Sequence, residues 1–344
     1  MALLFCDGFD HYDTAHLMEK WDTQGNSPTL IIASPGRNVA STYNNYLSVN
    51  SGYNPSLGKA VPNSSTLTVG FAINPNVLSG NNFTILTFQD SMQIQVQITV
   101  TASAQLQVRD GNGNVLGTTS SPVIVSSTFT YVEVQVVFST SPTGSCNIQV
   151  NGVNVLSLTG IQTAISSNSY ANVVNLCAGS SNNVYFDDLY ICDGTGAYNN
   201  TFLGDVRVAL ALPSSTGRLS QWTRTGGTTS GNYTAVDEVP PDNDTSYVSS
   251  STVGNIDAYG ISSVGTPSAI VAVQLVACAR KTDSASRSIG LGFGNSTTDN
   301  FDSGHSVTNS YVMYRRTMDS NPITSAAWAA TDLSSAQIAL KVIS

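Results

Sequence analysis

Apolar and polar residues change places at every second position over long stretches of this chain. Thr66-Leu-Thr-Val-Gly-Phe-Ala-Ile73 and Gln93-Ile-Gln-Val-Gln-Ile-Thr-Val100 put alternate side chains on one apolar face and leave the rest to water, the pattern of a half-buried strand. Shorter runs of the same kind predict strands at Leu30–Ala33, Tyr46–Val49, Phe83–Phe88, Ala104–Arg109, Thr130–Phe138, Cys146–Val150, Val155–Leu158, Asn172–Ala178 and Val184–Cys192. Asp110-Gly-Asn-Gly-Asn114 and Asn151-Gly152 fall between such runs and tolerate positive φ, so each predicts a hairpin. Phe9–Trp21 lacks alternation and predicts a loop with a helical turn, covering one sheet edge. About ten short strands and no amphipathic helix predict an antiparallel sandwich.

Leu3-Leu-Phe-Cys-Asp-Gly8 has a near-copy inside Val184-Tyr-Phe-Asp-Asp-Leu-Tyr-Ile-Cys-Asp-Gly194, which predicts that the first and last strands of this domain pair. Cys6 and Cys192 occupy equivalent places, so a disulfide between them is conceivable and not required. The Gly/Asn-rich connector Gly194–Thr201 marks a boundary, giving one domain over residues 1–200 and a second over 201–344. In the second, strands are expected at Val206–Leu212, Ser246–Ser250, Asp257–Ile261, Ala269–Arg280, Ser288–Gly294, Ser310–Thr317 and Gln337–Ile343. Ala269–Ala279 is nearly all apolar and predicts a central strand buried on both faces. The fold class expected is all-β, an antiparallel sandwich followed by a second β-sandwich.

Composition narrows the function. Of 344 residues only 10% are charged, the net charge is -9, and lysine occurs only at Lys20, Lys59, Lys281 and Lys341. Nucleic-acid binding needs clustered cations to displace counterions, so it is not expected. No run approaches a membrane span, and the first residues lack the basic and apolar regions of a signal peptide. The five cysteines show no C-x-x-C spacing, which argues against zinc, and the apolar runs that hold four of them suit a reducing compartment.

Two resemblances follow from particular residues. Asn147-Ile-Gln-Val-Asn-Gly152 and Phe186-Asp-Asp-Leu-Tyr-Ile191 are similar to the hairpin and closing strand of concanavalin A-like jelly rolls of laminin G type, over about residues 1–195. Farther on, Gly204-Asp-Val-Arg-Val208, Trp222-Thr, Asn232-Tyr, Val236-Asp-Glu-Val-Pro-Pro-Asp-Asn-Asp-Thr-Ser-Tyr-Val248, Asp257-Ala-Tyr259 and Trp328–Ile338 resemble a family of two-domain structural proteins of tailed bacteriophages. That resemblance implies a protein of the virion exterior, assembled in the host cytoplasm, with other virion proteins as partners and a homo-oligomeric state. It leaves open a tail, baseplate or fibre position, toward which lectin-like domains lean by suiting contact with a host glycan, or capsid decoration. A stand-alone carbohydrate-binding module is the alternative.

Candidate chemistry is sparse. Tyr43, Tyr46, Tyr53 and Trp222 are aromatics able to stack on a sugar or to pack loops onto the sandwiches. Asp237, Asp242 and Asp244 surround a Pro-Pro turn, where they can offer oxygens to calcium or cap turns and pair with Arg207, Arg218 or Arg224. No other cofactor is expected. Asp187-Asp188 are expected to be structural, one of them turned inward onto amides of the opening strand. The histidines, His11, His16 and His305, fit no metal or triad spacing, and Glu19, Glu133 and Glu238 are the only glutamates. A jelly-roll glycosidase needs two facing carboxylates, and the expectation is that the chain is not an enzyme.

Overall fold

The computed structural model describes residues 2–344 except 26–29, 38–42, 53–54, 79, 180–181 and 229. The chain divides into two compact units, Met1–Val208 and Ala209–Ser344, and both are built of strands.

The first unit is a jelly-roll sandwich of two antiparallel sheets. One has the order β13 (Val153–Ile161), β12 (Gly144–Val150), β11 (Thr130–Val137), β6 (Thr66–Pro75), β15 (Val184–Asp193), β4 (Tyr46–Val49) and β3 (Leu30–Ala33), with β1 (Leu3–Asp7) also paired to β15. The other runs β10 (Val115–Thr118), β9 (Leu106–Asp110), β8 (Gln93–Val100), β7 (Phe83–Asp90), β14 (Ala171–Cys177), β5 (Ser56–Ser64) and β2 (Thr23–Gly25). The alternation fixes the faces: Leu67, Val69, Phe71, Val132 and Val134 from one sheet and Leu86, Phe88, Val96, Ile98 and Val108 from the other are fully buried. Asn151 and Gly152 take φ of 48° and 76° between β12 and β13, as the Asn-Gly turn requires.

The opening strand pairs with β15, where Cys6 lies opposite Tyr190 and Cys192 opposite Leu3, so the two cysteines are not direct partners in register. Phe9–Trp21 holds a single 3-10 turn and the four-residue helix α1 (Leu17–Lys20). It is tied down by Asp7, which accepts from Tyr12 OH at 2.6 Å, Trp21 Nε1 at 2.9 Å and the Phe9 amide at 2.9 Å. Lys20 Nζ lies 2.9 Å from the same carboxylate, and both side chains are buried. Burial opposes ionisation of Asp7, but Lys20, then His11 and the Tyr12 hydroxyl, outweigh it and hold the carboxyl below its usual range. Removing one partner of such a buried pair costs about 3–5 kcal/mol.

The second unit is a smaller, lopsided β-sandwich. Its main sheet has the order β16 (Pro213–Ser220), β19 (Ile256–Ile261), β25 (Gln337–Val342), β21 (Ser288–Gly294) and β22 (Asp299–Phe301), with β23 (His305–Ser306) on β21. Two short ladders complete it, β17 (Thr223–Thr225) with β18 (Tyr247–Ser249), and β20 (Val273–Ala279) with β24 (Val312–Met318). Leu275, Leu291, Phe293, Tyr314 and Trp328 form the core.

Two strand expectations are corrected here. Ala269–Ala279 is not a central strand: only Val273–Ala279 is extended, it pairs with β24 alone, and Leu275 is its one buried residue. Its apolar side chains pack from one side onto the core, a half-buried ladder in place of a strand covered on both faces. Val206–Leu212 forms no strand, and the edge of the main sheet is the polar run Pro213–Ser220 instead.

Candidate functional site

The face of the seven-stranded sheet turned away from the core carries a continuous row of polar residues. Thr23 pairs with Gly58, Gly58 with Asn175, Asn175 with Thr87, Thr87 with Gln97, and Gln97 with Arg109, each as direct cross-strand neighbours. At about 4.8 Å per strand the row spans about 24 Å. It follows from the alternation that buries Leu57, Leu86, Phe88, Val96, Ile98 and Val108 on the other side. Gly58 is small for a reason: a Cβ there would lie 2.1 Å from Thr23 Oγ1 and 2.2 Å from Asn175 Oδ1.

The row is held in place by its own hydrogen bonds. Asn175 Nδ2 donates to Thr87 Oγ1 at 3.2 Å, Thr84 Oγ1 to Gln97 Oε1 at 3.2 Å, and Gln97 Nε2 to the Asp110 carbonyl at 3.2 Å. On β9, Gln107 Nε2 donates to Thr118 Oγ1 at 2.9 Å and Arg109 Nη1 to the Gly113 carbonyl at 2.9 Å. Gln107 Oε1 and Arg109 Nε, two positions apart and so on one face, are buried with no hydrogen-bond partner among the described residues. An unmade buried hydrogen bond costs about 1–3 kcal/mol, and because both atoms are shielded from solvent that cost falls inside the fold. Such a surface can bind a hydroxyl-rich chain, and its one cation, Arg109, can pair with an anionic substituent.

The outer face of the eight-stranded sheet is also polar, but it is closed. Its register with β6 slips between Asp187 and Tyr190, and Asp188 takes a φ of 51°. This bulge turns both acids toward Arg37: Asp187 Oδ2 accepts the Arg37 amide at 2.7 Å, and Asp188 Oδ2 lies 3.3 Å from Arg37 Nη1. Asp188 Oδ1 accepts the Val208 amide at 2.8 Å. The pair is therefore structural, with the correction that its partners are Arg37 and Val208, not amides of the opening strand. Glu133 Oε1 accepts from Tyr190 OH and from the amides of Leu203 and Gly204 at 2.9 and 2.8 Å, which lays the segment Leu203–Val208 over this face. Burial, against the pull of the Asn45 amide and with help from Asp188 and Asp7, pushes Asp10 up to about 7. Burial and then the neighbouring Asp188 push Asp187 up as well.

The residues singled out from sequence do not form one site. Tyr46 is half-buried, its ring 4.7 Å from that of Tyr185 and 6.4 Å from that of Phe129, and burial followed by Tyr185 raises its pKa. Tyr43 is half-buried nearby in sequence, and Tyr53 lies outside the described residues. Trp222 belongs to the second unit, where its indole Nε1 donates to the Asn255 carbonyl at 3.2 Å and its ring packs on the core. Asp242 accepts from the amide and hydroxyl of Ser246, which also bonds Glu238. Asp244 is turned to Arg280, at 2.8 and 3.0 Å, and to Tyr311 OH at 2.7 Å. The acids thus cap a turn and take Arg280 in place of the three arginines expected. Asp237, Asp242 and Asp244 are not gathered as one ligand set, and among the described residues no three His, Cys, Asp or Glu side chains could hold a metal ion. No helix among them is long and apolar enough to cross a membrane.

Sequence reading missed the row because its members lie on six strands. Their common parity, Thr87 with Gln89, Gln97 with Thr99 and Gln107 with Arg109, is visible once the register is known.

No protein-family model matches the chain, and no curated protein does. Solved structures of similar fold include the endo-beta-1,4-glucuronan lyase of the fungus Trichoderma reesei, at 13% identity and TM-score 0.38 over 50% of this chain and 91% of that one. Alginate lyase Aly36B is similar at 11% identity and TM-score 0.39, over 54% and 95%, as is cellulose induced protein Cip1 at 17% and 0.39, over 54% and 94%. At these identities the likeness is one of fold. The expectation that the chain is not an enzyme is not kept, and polysaccharide lyases stand among these structures. The missing glutamate pair bears on hydrolysis by two carboxylates, and elimination does not call for such a pair.

Proposed function

We propose that this chain is a structural protein on the outside of a tailed bacteriophage particle and contacts glycan through the polar row of its first unit. The observation that carries the glycan contact is the row of hydroxyls, amides and one guanidinium from Thr23 to Arg109, in which Thr23, Gln97 and Arg109 reach solvent while Gly58, Asn175 and Thr87 are buried. Ligand hydroxyls both donate and accept, so a sugar chain laid across the strands can bond the Gln97 amide and the Arg109 guanidinium together.

The virion setting rests on the family resemblance of the second unit, and the way those residues are used supports it. Asp257 accepts the Trp222 amide at 3.2 Å, Asn232 Nδ2 at 2.8 Å and Tyr259 OH at 2.7 Å. Asp257 therefore ties the matched Asn and Tyr side chains and the backbone of the matched Trp into one network, as expected of a motif that specifies a fold. A tail position suits glycan contact better than capsid decoration.

Glycan-array binding of the full chain, compared with Gln97→Ala and Arg109→Ala, tests the contact. Loss of the same glycans in both variants is expected, and an unchanged profile removes the row from consideration. Electron microscopy of purified particles tests the setting, with regular copies at a symmetric site expected and absence from particles refuting it.

A further inference from the structure

We propose that the free edge of β13 is the surface through which two copies of this chain pair, antiparallel and centred on Ser157. The eight-stranded sheet ends at β13, which is nine residues long. The other terminal strands of the two sheets are short: β3 and β10 have four residues each and β2 has three. A long edge leaves a row of backbone amides and carbonyls open to another strand, and proteins ordinarily guard such edges with charges, proline or brevity. Val153-Asn-Val-Leu-Ser-Leu-Thr-Gly-Ile161 has no charged residue and no proline. Among the described residues, no backbone hydrogen bond reaches it from outside its own hairpin.

The geometry of the edge favours a partner identical to itself. Its pairing with β12 shifts register at both ends and is regular between them, where Ser145, Cys146, Asn147 and Ile148 face Thr159, Leu158, Ser157 and Leu156. The usable edge is therefore the stretch around Ser157. When it meets its own copy antiparallel about Ser157, Leu156 falls opposite Leu158, Leu158 opposite Leu156, and Val155 opposite Thr159. Leu156 and Leu158 point to the core side, opposite the fully buried Ile148 and Cys146, yet remain half-buried themselves. Leu158 packs in part on Gly117 of β10, and a second copy covers what remains of both leucines with matching apolar side chains. The seam also brings no like charges together, although each chain carries a net charge of -9. Two-fold pairing closes on itself, so it ends at a dimer.

The experiment uses the full chain in sedimentation velocity and in oxidative crosslinking. The parent is expected to form a concentration-dependent dimer. Ser157 is exposed, so Ser157→Lys leaves the fold intact while placing two ammonium groups in contact across the seam, and it is expected to weaken the dimer at least about tenfold. Ser157→Cys supplies the positive arm. Directly opposed strand residues have Cα atoms about 4.5–5.5 Å apart, within disulfide range, so this variant is expected to crosslink to itself under mild oxidation. Asn154→Cys, which falls opposite Gly160 and far from its own copy, is not, and the parent controls for the native cysteines. A chain that is monomeric throughout, a dimer indifferent to Ser157→Lys, or equal crosslinking at positions 154 and 157 overturns the proposal.

Discussion

The two outer faces of the first unit are made by the same alternation of apolar and polar residues, yet they have opposite fates. On the eight-stranded sheet most polar groups are taken up by the chain itself: Glu133 through Oε1, Asp187 and Asp188 take amides and a guanidinium from segments laid over them, and Glu133 Oε2 is left buried with no partner among the described residues. On the seven-stranded sheet the amides and hydroxyls bond mainly to one another and leave Gln107 Oε1 and Arg109 Nε unmatched. Buried carboxylates need strong, prearranged donors and become structure. Neutral amides and hydroxyls tolerate partial satisfaction at lower cost than a carboxylate does.

Breaking the closed face is expected to have the largest effect. Glu133→Ala strips one acceptor from Tyr190 OH and from the Leu203 and Gly204 amides, and about 3 kcal/mol or more of stability should be lost. Calorimetry would show this as a melting temperature lower by on the order of 10 °C. A variant as stable as the parent would mean that the covering segment is held by something else.

Titration of the same face should be visible next. Asp10, near 7, and Asp187, also raised, hold protons in the folded chain that they release when unfolded. Folded carboxyls that bind protons more tightly make stability fall as pH rises from the unfolded value through the folded one. Denaturation midpoints should thus decline between about pH 4 and pH 8, and the decline should flatten in Asp10→Asn. A midpoint that rises over this window contradicts the assignment.

The seven-stranded face should respond in binding with a smaller cost in stability. Arg109→Ala and Gln97→Ala are expected to weaken glycan binding about tenfold, as loss of one or two hydrogen bonds does, and to lower stability by about 1 kcal/mol through the bonds each makes within the sheet. Calorimetric titration with a glycan bound by the parent separates the two. Smallest of all should be the effect of Tyr46→Ala on that affinity, because its ring is engaged with Tyr185 and Phe129. An effect equal to that of Arg109→Ala would extend the site to the aromatic cluster.

Much of the architecture was legible in the sequence wherever period-two alternation was clean, as in β6 and β8, and the repeat Leu3–Gly8 foretold the pairing of β1 with β15. β5 was missed because Lys59 and Pro62 interrupt its pattern: Lys59 points inward, its Nζ 2.7 Å from Asp22, so a charge occupies a position that reads as polar surface. β16 was missed because Pro213-Ser-Ser-Thr-Gly-Arg-Leu-Ser220 has no apolar rhythm, being an exposed edge. The aromatics chosen from sequence were found packed or bonded, since a ring with nearby apolar partners is drawn to them. The polar row was illegible because a sheet surface is assembled across strands, and only the register says which glutamine stands beside which threonine.

The pairing of β1 with β15 also sets an order of events in time. The first strand of the unit can find its place only after the last has been made, closing a loop of roughly two hundred residues whose entropic cost grows with the logarithm of its length. Such long-range pairing bears on the rate of folding more than on final stability. Until β15 arrives, Phe5, Lys20 and Tyr12 lack the sheet that buries them, so the unit should acquire its native structure late and in one cooperative step.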